Sequence, residues 1–375
     1  MRRFLLVGLY LLLVAGVAAA DFVFSDAPNT PSVPEAPIEF APAPEVPAGE
    51  AVEILVTAGG DVTFGGNMKD NPRSTIYTRE LERRGGDLSY FFANVRDIFA
   101  ESDLSIVNFE GTLTNHTKRD RNNSFHFRAP PEHVEALVLG NINAVAFENN
   151  HTMDYGQQGW EDTVQAFGRA GIVYASDGDM GVFRTKGVSI ALLAYQTFNG
   201  AYPRLHEQVP RDIAEARAAH DIVIVNYHWG NEMEYLPNNN QIKLGRATID
   251  AGADLVLGHH SHRIQPIERY NGKLIVYSLA NFSFSGNTQP RDMDTFLFQQ
   301  KFIVQDGNLT IGDFRIIPAS ISSNTGMSGK QSDVNDFAVT PFPEGSHAIE
   351  RVLSRLQKEG QKLQYAVETY PIEWP

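Results

Sequence analysis

The sequence predicts an α/β protein built on a layered, largely parallel β-sheet. From Pro130 onward, apolar segments of helical and of extended spacing alternate along the chain, as they do in layered α/β folds. Runs such as 222–225 and 255–257 are continuously apolar and β-branched or leucine-rich, which is typical of strands buried on both faces. Two later apolar runs flank Asp306-Gly307, a dipeptide that favours a hairpin and therefore an antiparallel portion.

The amino terminus has the pattern of a secretory signal peptide over residues 1–20. A basic start at residues 1–3 precedes an apolar run over residues 4–17, and residues 18–20 are alanines that suit cleavage. We therefore expect export to an extracytoplasmic location, the periplasm or the cell surface. The alternative is an uncleaved segment that anchors the protein in the membrane, although the run is short for a bilayer span. Without cysteine, the chain forms no disulfide.

Composition divides the rest of the chain. Residues 21–50 are rich in proline and alanine and predict a semi-extended spacer. The main domain is predicted over residues 51–320, and residues 321–375 are predicted to form a C-terminal extension with a peripheral helix over 346–363. The formal net charge of -14 argues against nucleic acid or an anionic bilayer as the main partner, since both bind basic surfaces. An anionic substrate would have to be met locally by metal or arginine.

The predicted elements begin with a strand over residues 51–56 and a glycine-rich turn over 59–66. Apolar spacing then predicts a helix over 90–100 and a strand that leads to Glu110. The later elements are helix 131–139, a strand to Phe147, helix 157–170, strands 171–174 and 188–195, helix 211–220, a strand to His228, helix 241–251 and a strand before His259. Strands over 274–279, 296–304 and 309–317 complete the predicted sheet.

Polar side chains stand at the ends of five predicted strands. They are Asp61, Glu110, the cluster around Asn150, His228, and the histidines at 259, 260 and 262. Parallel sheets bind ligands beyond the carboxyl ends of their strands, so we expect these side chains to converge. The alternative is local in each case. Asn149 and Asn150 would cap the following helix beside a surface His151, and Glu110 would be exposed in a turn.

The most specific signal is His260-Ser261-His262, because this spacing puts two imidazoles on one side of an extended segment, as a pair of metal ligands requires. The same alternation predicts that His259 points away. The whole predicted ligand set is Asp61, Glu110, Asn150, His228, His260 and His262. These ligands suit one or two divalent ions of manganese, iron, zinc or magnesium. Two ions about 3.5–4 Å apart support in-line displacement at phosphorus, with His151 free for proton transfer.

These motifs, in this order, resemble the CapA family of poly-γ-glutamate capsule biosynthesis proteins, within the calcineurin-like metallophosphoesterase superfamily. The matching motifs are Gly60-Asp61, Asn108-Phe109-Glu110-Gly111, the run 149–156, His228-Trp229-Gly230, His260-Ser261-His262 with Gln265-Pro266, and the run 277–282. The resemblance spans about residues 52–284 and implies a four-layer metallophosphoesterase-like β-sandwich flanked by helices.

The resemblance also implies a role for each site residue. Glu110 stands where the family has the carboxylate that bridges two ions. The ligands of the second ion would be Asn150, His228 and His260, and those of the first ion would be Asp61 and His262. His151 would protonate the leaving group, with Asp154 as its orienting partner.

The chain departs from the superfamily pattern at three positions. Thr63 stands where the superfamily usually has a histidine, and Glu110 stands where it usually has an aspartate. Both changes predict a weak or empty first metal site. The family's usual Ser-Leu-Gly-Asn-Phe has Ala280 in place of glycine, a change that we expect to be tolerated unless the position needs a positive φ.

The expected function is therefore that of an exported metal-dependent hydrolase of the phosphoesterase type. It would act in the synthesis, release or anchoring of a capsular polymer such as poly-γ-glutamate. Its partners would be an anionic cell-surface polymer or a phosphoester substrate, together with a membrane synthase complex. The alternative, motivated by Thr63, is a non-catalytic accessory protein that binds the polymer or the synthase through an inherited metal pocket.

Overall fold

A computed structural model of the chain describes residues 49–66, 75–119, 124–287, 290–324 and 335–375. The predicted signal peptide, and the predicted spacer as far as residue 48, lie outside these residues. Among the helices that the structure describes, none combines the length and the apolar character needed to cross a membrane.

The described secondary structure consists of strands and helices that alternate for most of the chain. The strands are β1 Val52–Thr63, β2 Leu104–Phe109, β3 Thr112–Leu113, β4 Arg128–Ala129, β5 Ala144–Ala146, β6 Val173–Ala175, β7 Gly181–Thr185, β8 Val188–Gln196, β9 Ile222–His228, β10 Leu255–His259, β11 Ile264–Tyr270, β12 Lys273–Leu279, β13 Asn281–Phe284, β14 Asp294–Gln305, β15 Asn308–Ser320 and β16 Thr340–Pro341. The α-helices are α1 Ile76–Arg83, α2 Arg96–Ala100, α3 Glu135–Leu139, α4 Gly156–Ala170, α5 Tyr202–Ala219, α6 Asn239–Asp250 and α7 His347–Gly360. Short 3₁₀ helices at Leu88–Phe92 and Pro131–Val134 precede α2 and α3.

Most of the described strands form two mixed sheets, and the short strands β3 and β4 form a separate parallel pair. The first has the order β16-β15-β14-β1-β2-β5-β6, with β13 also paired to β1. Its strands β1, β2, β5 and β6 are parallel, whereas β14, β15 and β16 are antiparallel. The second sheet has the order β11-β12-β10-β9-β8-β7, with four parallel strands between two antiparallel edges. The predicted late hairpin is confirmed as β14 and β15.

Apolar residues at successive positions of one strand are buried on opposite faces of its sheet, which shows how the layers stack. Ile224 of β9 lies in the hydrophobic cluster between the two sheets, while Val225 packs outside the second sheet with Ile213 of α5. On the far side, Val107 of β2 packs with Phe167 of α4 outside the first sheet. Each sheet is therefore covered by helices on its outer face. The predicted α/β class and four-layer sandwich are confirmed.

The first strand is longer than predicted. Gly59 and Gly60 continue β1 instead of turning the chain, so the prediction of a turn there is wrong. A Cβ on Gly60 would lie 2.0 Å from the carbonyl oxygen of Ala280, so glycine is needed for a close approach of two backbones. The chain turns only at Gly65, where φ is +90°. Asp61 consequently lies inside the strand.

Three further differences concern local packing. The predicted helix over 90–100 is broken into a 3₁₀ helix and α2, because Phe92 and Phe99 both have to reach the same outer cluster. Helix α5 begins earlier than predicted, because Leu205 and Val209 extend its buried face. The helix also contains Pro210. Helix α1 and the edge strands β7 and β11 were not expected from the sequence pattern.

The C-terminal residues pack against both sheets. Helix α7 lies within the predicted range 346–363, but its Val352 and Leu356 belong to the cluster between the sheets, so the helix packs into the core and is not peripheral as predicted. Beyond it, Val367 N–H donates to the carbonyl oxygen of Ile267 in β11 at 3.0 Å, and the carbonyl oxygen of Pro371 accepts from Ile316 N–H in β15 at 2.8 Å. The domain boundary at residue 320 stays a prediction.

Candidate metal centre

The two sheets bring the predicted ligands together at the carboxyl ends of their parallel strands. Asp61 in β1 and Glu110 after β2 come from the first sheet. His228 ends β9, and His260 follows β10 in the second sheet. Asn150 follows β5 and completes the approach from the first sheet.

The side chains predicted for the second metal are already at ligand-to-ligand distances. Asn150 Oδ1 lies 2.8 Å from His228 Nε2, and His260 Nδ1 lies 3.0 Å from the same nitrogen. Glu110 Oε1 lies 4.0 Å from it. Ligands held at about 2.0–2.2 Å from one ion lie roughly 3.0–3.5 Å apart. Asn150 and His260 therefore lie close to the spacing from His228 that one divalent ion requires, and Glu110 lies slightly further away.

Asp61 is the central residue of the predicted first metal site. Its Oδ2 lies 3.4 Å from His262 Nδ1 and accepts the backbone N–H of His260 at 3.3 Å. Its Oδ1 accepts from Asn108 Nδ2 at 2.8 Å. Burial alone would raise the pKa of Asp61, but the imidazoles of His259 and His262 hold it well below its usual range. The carboxylate is charged and ready to accept a cation.

His259 does not point away, so that prediction is wrong. Its Nδ1 lies 3.4 Å from Asp61 Oδ1, and the side chain is buried. The strict alternation of side chains ends after β10 because His260 and His262 have φ values of +86° and +52°. Neither ring nitrogen of His259 has a hydrogen-bond partner within the described parts of the chain.

Glu110 provides the clearest test of whether a cation fits. The side chain is fully buried, which contradicts the alternative of an exposed glutamate in a turn. Neither carboxylate oxygen has a hydrogen-bond partner in the described ranges. Burial and the charge of Asp61 raise the pKa of Glu110 to about 8. An unpartnered buried carboxylate is costly, and a divalent ion between Glu110 and Asp61 would remove that cost.

The histidines differ in charge according to their surroundings. Burial, and next the neighbouring His260, hold the pKa of His228 well below its usual value. Burial, and next His262, lower the pKa of His260 to about 3. Both imidazoles are therefore neutral, as metal ligands must be. Burial also lowers the pKa of His262, but its hydrogen bond to Asp61 and the charge of Glu110 outweigh this and raise it to about 9.

Asn281 and Asp61 together orient the ring of His262. Its Nδ1 lies 2.7 Å from Asn281 Oδ1, to which the Nδ1–H donates, and 3.4 Å from Asp61 Oδ2. Such outer partners commonly fix the tautomer of a ligating histidine. The motif 277–282 contained Asn281 but gave it no role, and Asn108 was likewise missed. Only the convergence of β2, β13 and the loop after β10 reveals these two amides.

His151 and Asp154 form a second unit beside the ligands. His151 Nδ1 lies 2.9 Å from Asp154 Oδ2, and that oxygen also accepts the backbone N–H of Phe127 at 2.6 Å. His151 Nε2 faces the cluster, 3.7 Å from Glu110 Oε1. Burial would lower the pKa of His151, but the hydrogen bond to Asp154 and the charge of Glu110 raise it.

The local alternative for Asn149, Asn150 and His151 is wrong. Helix α4 starts at Gly156 with Tyr155 as its N-cap, so neither asparagine caps it. Asn149 instead donates from Nδ2 to the carbonyl oxygen of Phe109 at 2.8 Å and accepts His151 N–H at 3.0 Å. It fixes the turn that presents Asn150 and His151.

The departures at Thr63 and Ala280 both lie at the site. Thr63 is buried, and its Oγ1 has no hydrogen-bond partner within the described residues. Ala280 has φ +63°, so the condition under which its substitution for glycine would be costly is met. Its carbonyl oxygen accepts the N–H of Asp61 at 2.9 Å. The left-handed residue therefore holds the first aspartate in place.

Among the described residues, two groups of side chains could hold a metal ion, and each group's potential ligand atoms lie within 4.8 Å of one another. One group is Asp61, Glu110 and His228. The other is Glu232, His260 and His262. Five of these six side chains were predicted. Glu232 was missed because it lies in the loop after β9, four residues beyond His228, where its position gives no periodic signal.

Comparisons with known proteins agree with these motifs. A family model described as bacterial capsule synthesis protein PGA_cap matches residues 55–285. The chain is 34% identical over 302 residues to the PGA biosynthesis protein CapA of Bacillus subtilis, across 74% of this chain and 77% of that relative. It is 31% identical over 282 residues to a probable polyglutamine synthesis accessory protein of Mycobacterium tuberculosis, across 61% of this chain and 74% of that relative. A solved structure, the calcineurin-like phosphoesterase YfkN from Bacillus subtilis, aligns with TM-score 0.42 and 13% identity over 84% of this chain and 98% of that chain.

Proposed function

The chain belongs to the family of bacterial capsule synthesis proteins, and on that premise we propose that it is an exported, metal-dependent hydrolase of the phosphoesterase type. It acts in the synthesis, release or anchoring of a capsular polymer such as poly-γ-glutamate. The observation that carries the proposal is Glu110, a buried carboxylate without a hydrogen-bond partner among the described residues, surrounded by groups at ligand spacing.

The residues divide the chemical work. Asp61, Glu110, Asn150, His228, His260 and His262 would hold one or two divalent ions. When bound, such ions supply Lewis-acid activation of a phosphoryl group and of the attacking water.

A side chain of the protein protonates the leaving oxygen. His151 carries a proton on Nε2, the nitrogen that faces the cluster, and transfers it to the leaving oxygen as the bond to phosphorus breaks. Asp154 holds the Nδ1–H of His151 at 2.9 Å, which fixes the ring and favours its protonated form. The backbone N–H of Phe127 in turn fixes Asp154.

The test combines metal content with turnover. Protein purified without chelators is analysed for bound metal, then assayed on aryl and alkyl phosphodiesters and on γ-glutamyl polymer. We expect one or two divalent ions per chain and hydrolysis that a chelator abolishes. A protein that binds no divalent ion, or a loaded protein that cleaves none of these bonds, would contradict the proposal.

A second candidate is a non-catalytic accessory protein that uses the pocket to bind the polymer or a membrane synthase. Thr63, in place of a usual histidine, favours it, and the mycobacterial relative carries the description of an accessory protein. His151→Ala separates the two candidates. Loss of polymer production with unchanged metal content supports catalysis, whereas full production supports the accessory role.

Export is tested by locating the protein in fractions of the producing cell.

A further inference from the structure

Glu232 approaches the two histidines that the family motif supplies. Its carboxylate, His260 and His262 can present ligand atoms within 4.8 Å of one another. Glu232 therefore adds an anionic oxygen to the side of the cluster that contains His260 and His262.

The loop that carries Glu232 is fixed on both sides of it. Gly230 has φ +84°, and a Cβ there would lie 2.5 Å from the buried side chain of Gln241. Met233 has φ +64° and donates its N–H to the carbonyl oxygen of Ser261 at 2.7 Å. The next carbonyl oxygen, that of Glu234, accepts from Gln265 Nε2 at 3.0 Å. These contacts attach the loop after β9 to the segment that holds His260 and His262.

The first ion needs another ligand from somewhere in the chain. Asp61 and His262 lie 3.4 Å apart, but Thr63 offers only a neutral hydroxyl where the resemblance implies an imidazole. Glu110 still has both oxygens free of hydrogen bonds among the described residues, so the pocket can take a cation on this side. A carboxylate binds manganese, iron, zinc and magnesium alike.

We propose that Glu232 is a ligand of the first metal ion and replaces the histidine that is missing at Thr63. The ion would be held by Asp61, Glu110, Glu232 and His262. Glu232 is exposed, so this ligand closes the site from the solvent side. The inference rests on the metal centre of the proposed function.

The loop offers a matched control. Glu234 lies two residues away and is also exposed, but only its backbone carbonyl is used, and its carboxylate does not belong to either ligand group of the described residues. Glu234→Gln removes the same charge from the same loop. Any difference between the two substitutions reports the position of the carboxylate and not the loss of one negative charge.

The experiment is a calorimetric titration of chelator-treated full-length protein with Mn²⁺ and with Zn²⁺. Wild type and Glu234→Gln are expected to bind two ions. Glu232→Gln is expected to keep one ion and to bind the other at least ~10-fold more weakly, since even indirect partners of a metal ligand are worth about 10–100-fold. Equal affinities in wild type and Glu232→Gln, or a single ion in wild type, would overturn the assignment.

Glu232→His distinguishes a ligand from a distant charge. An imidazole can bind the ion without carrying negative charge, so the variant should retain Zn²⁺ affinity within about 10-fold of wild type. A Glu232→His protein as weak as Glu232→Gln would show that only the charge matters and would overturn the proposal. A wild type that binds two ions but hydrolyses nothing would defeat the hydrolase and leave the ligand assignment intact.

Discussion

Asp154 controls the protonation of His151, and this makes a prediction about pH. Burial lowers the pKa of His151, while the hydrogen bond to Asp154 raises it. A general acid works only below its pKa, so activity should fall as the pH rises through that value. Asp154→Asn lowers the pKa, and the alkaline limb of kcat should move to lower pH.

The control for this prediction is the leaving group. An alkyl leaving group needs a proton from His151, whereas a p-nitrophenyl leaving group departs with little help from an acid. The alkaline limb of the pH profile should therefore shift with the alkyl ester and be weak with the p-nitrophenyl ester. An unmoved limb in Asp154→Asn, with the same melting temperature as wild type, would show that Asp154 does not act through His151.

The two carboxylates of the centre should differ in importance. Glu110→Gln is expected to cost more activity than Asp61→Asn, because a bridging ligand holds both ions, whereas Glu232 and His262 would still hold the first ion without Asp61. We expect a loss of about 10–100-fold in kcat/KM for Asp61→Asn and a larger one for Glu110→Gln. Kinetics and metal content of both variants check this. Equal losses would argue that both ions are bound in full and that Asp61 matters as much as Glu110.

Ala280 is the one departure from the family motif that strains the backbone directly. At φ +63°, alanine costs about 1–2 kcal/mol relative to glycine. Ala280→Gly removes that cost but loses a buried methyl worth ~0.8 kcal/mol and about 0.4–1 kcal/mol of chain entropy. The net change in unfolding free energy should therefore stay within ~1 kcal/mol.

A β-branched residue has no such compensation, so Ala280→Val should destabilise the protein by more than ~2 kcal/mol. Urea unfolding of both variants measures the difference. If Ala280→Val were as stable as Ala280→Gly, the left-handed conformation and the contact with Asp61 N–H would not hold in solution.

Residue chemistry was predictable where a motif carried it. The predicted ligands lie close to His151 and Asp154, because parallel strands end at one edge, while the roles of these residues stay predictions. His259 was misjudged since side-chain alternation holds only while the backbone stays extended. Glu232 and Asn281 are brought to the site by loop geometry, which no sequence period encodes.

At the scale of elements, continuous apolar runs predicted the parallel strands well, because residues on both faces of β9 and β10 are buried. The rule that paired glycines mark a turn failed at Gly59 and Gly60, where glycine allows close contact between backbones. Edge strand β7 was missed because most of its residues are only partly buried. Strand β11 was missed because Gln265, Pro266 and Glu268 interrupt its apolar pattern, although they are buried. Local pattern therefore identifies central elements better than edges.

Helix α7 provides a prediction for the C-terminal extension. Leu356 is 1% exposed and belongs to the cluster between the sheets, so Leu356→Ala should lower the unfolding free energy by about 2–5 kcal/mol. The exposed Lys358 on the same helix is the control, and Lys358→Ala should change it by less than ~0.5 kcal/mol. Denaturant unfolding measures both. A negligible effect of Leu356→Ala would mean that α7 does not support the core.

For the whole molecule, the proline-rich spacer should contribute little to stability. A proline-rich spacer is predicted to bury little apolar surface, so removal of residues 21–48 is expected to change the melting temperature by less than ~2 °C. Extending the deletion through Glu50 also removes Gly49, which donates to Asp306 Oδ1 and accepts from Gln305 Nε2. Thermal unfolding of the two truncated proteins compares them, and a large drop in the shorter deletion would contradict the spacer prediction.

The order of the strands also governs how the protein can be assembled. Strands β7 to β12 form the second sheet as one continuous insertion, while β1 must wait for β13 and β14 to be synthesised. Thr57 and Gln299, whose side chains hydrogen-bond across β1 and β14, are 242 positions apart. Contacts between residues so far apart in sequence form slowly, and the edge of β1 that is unpaired in the meantime can promote aggregation. Synthesis of β13 and β14 is therefore needed before β1 can complete its pairing in the first sheet.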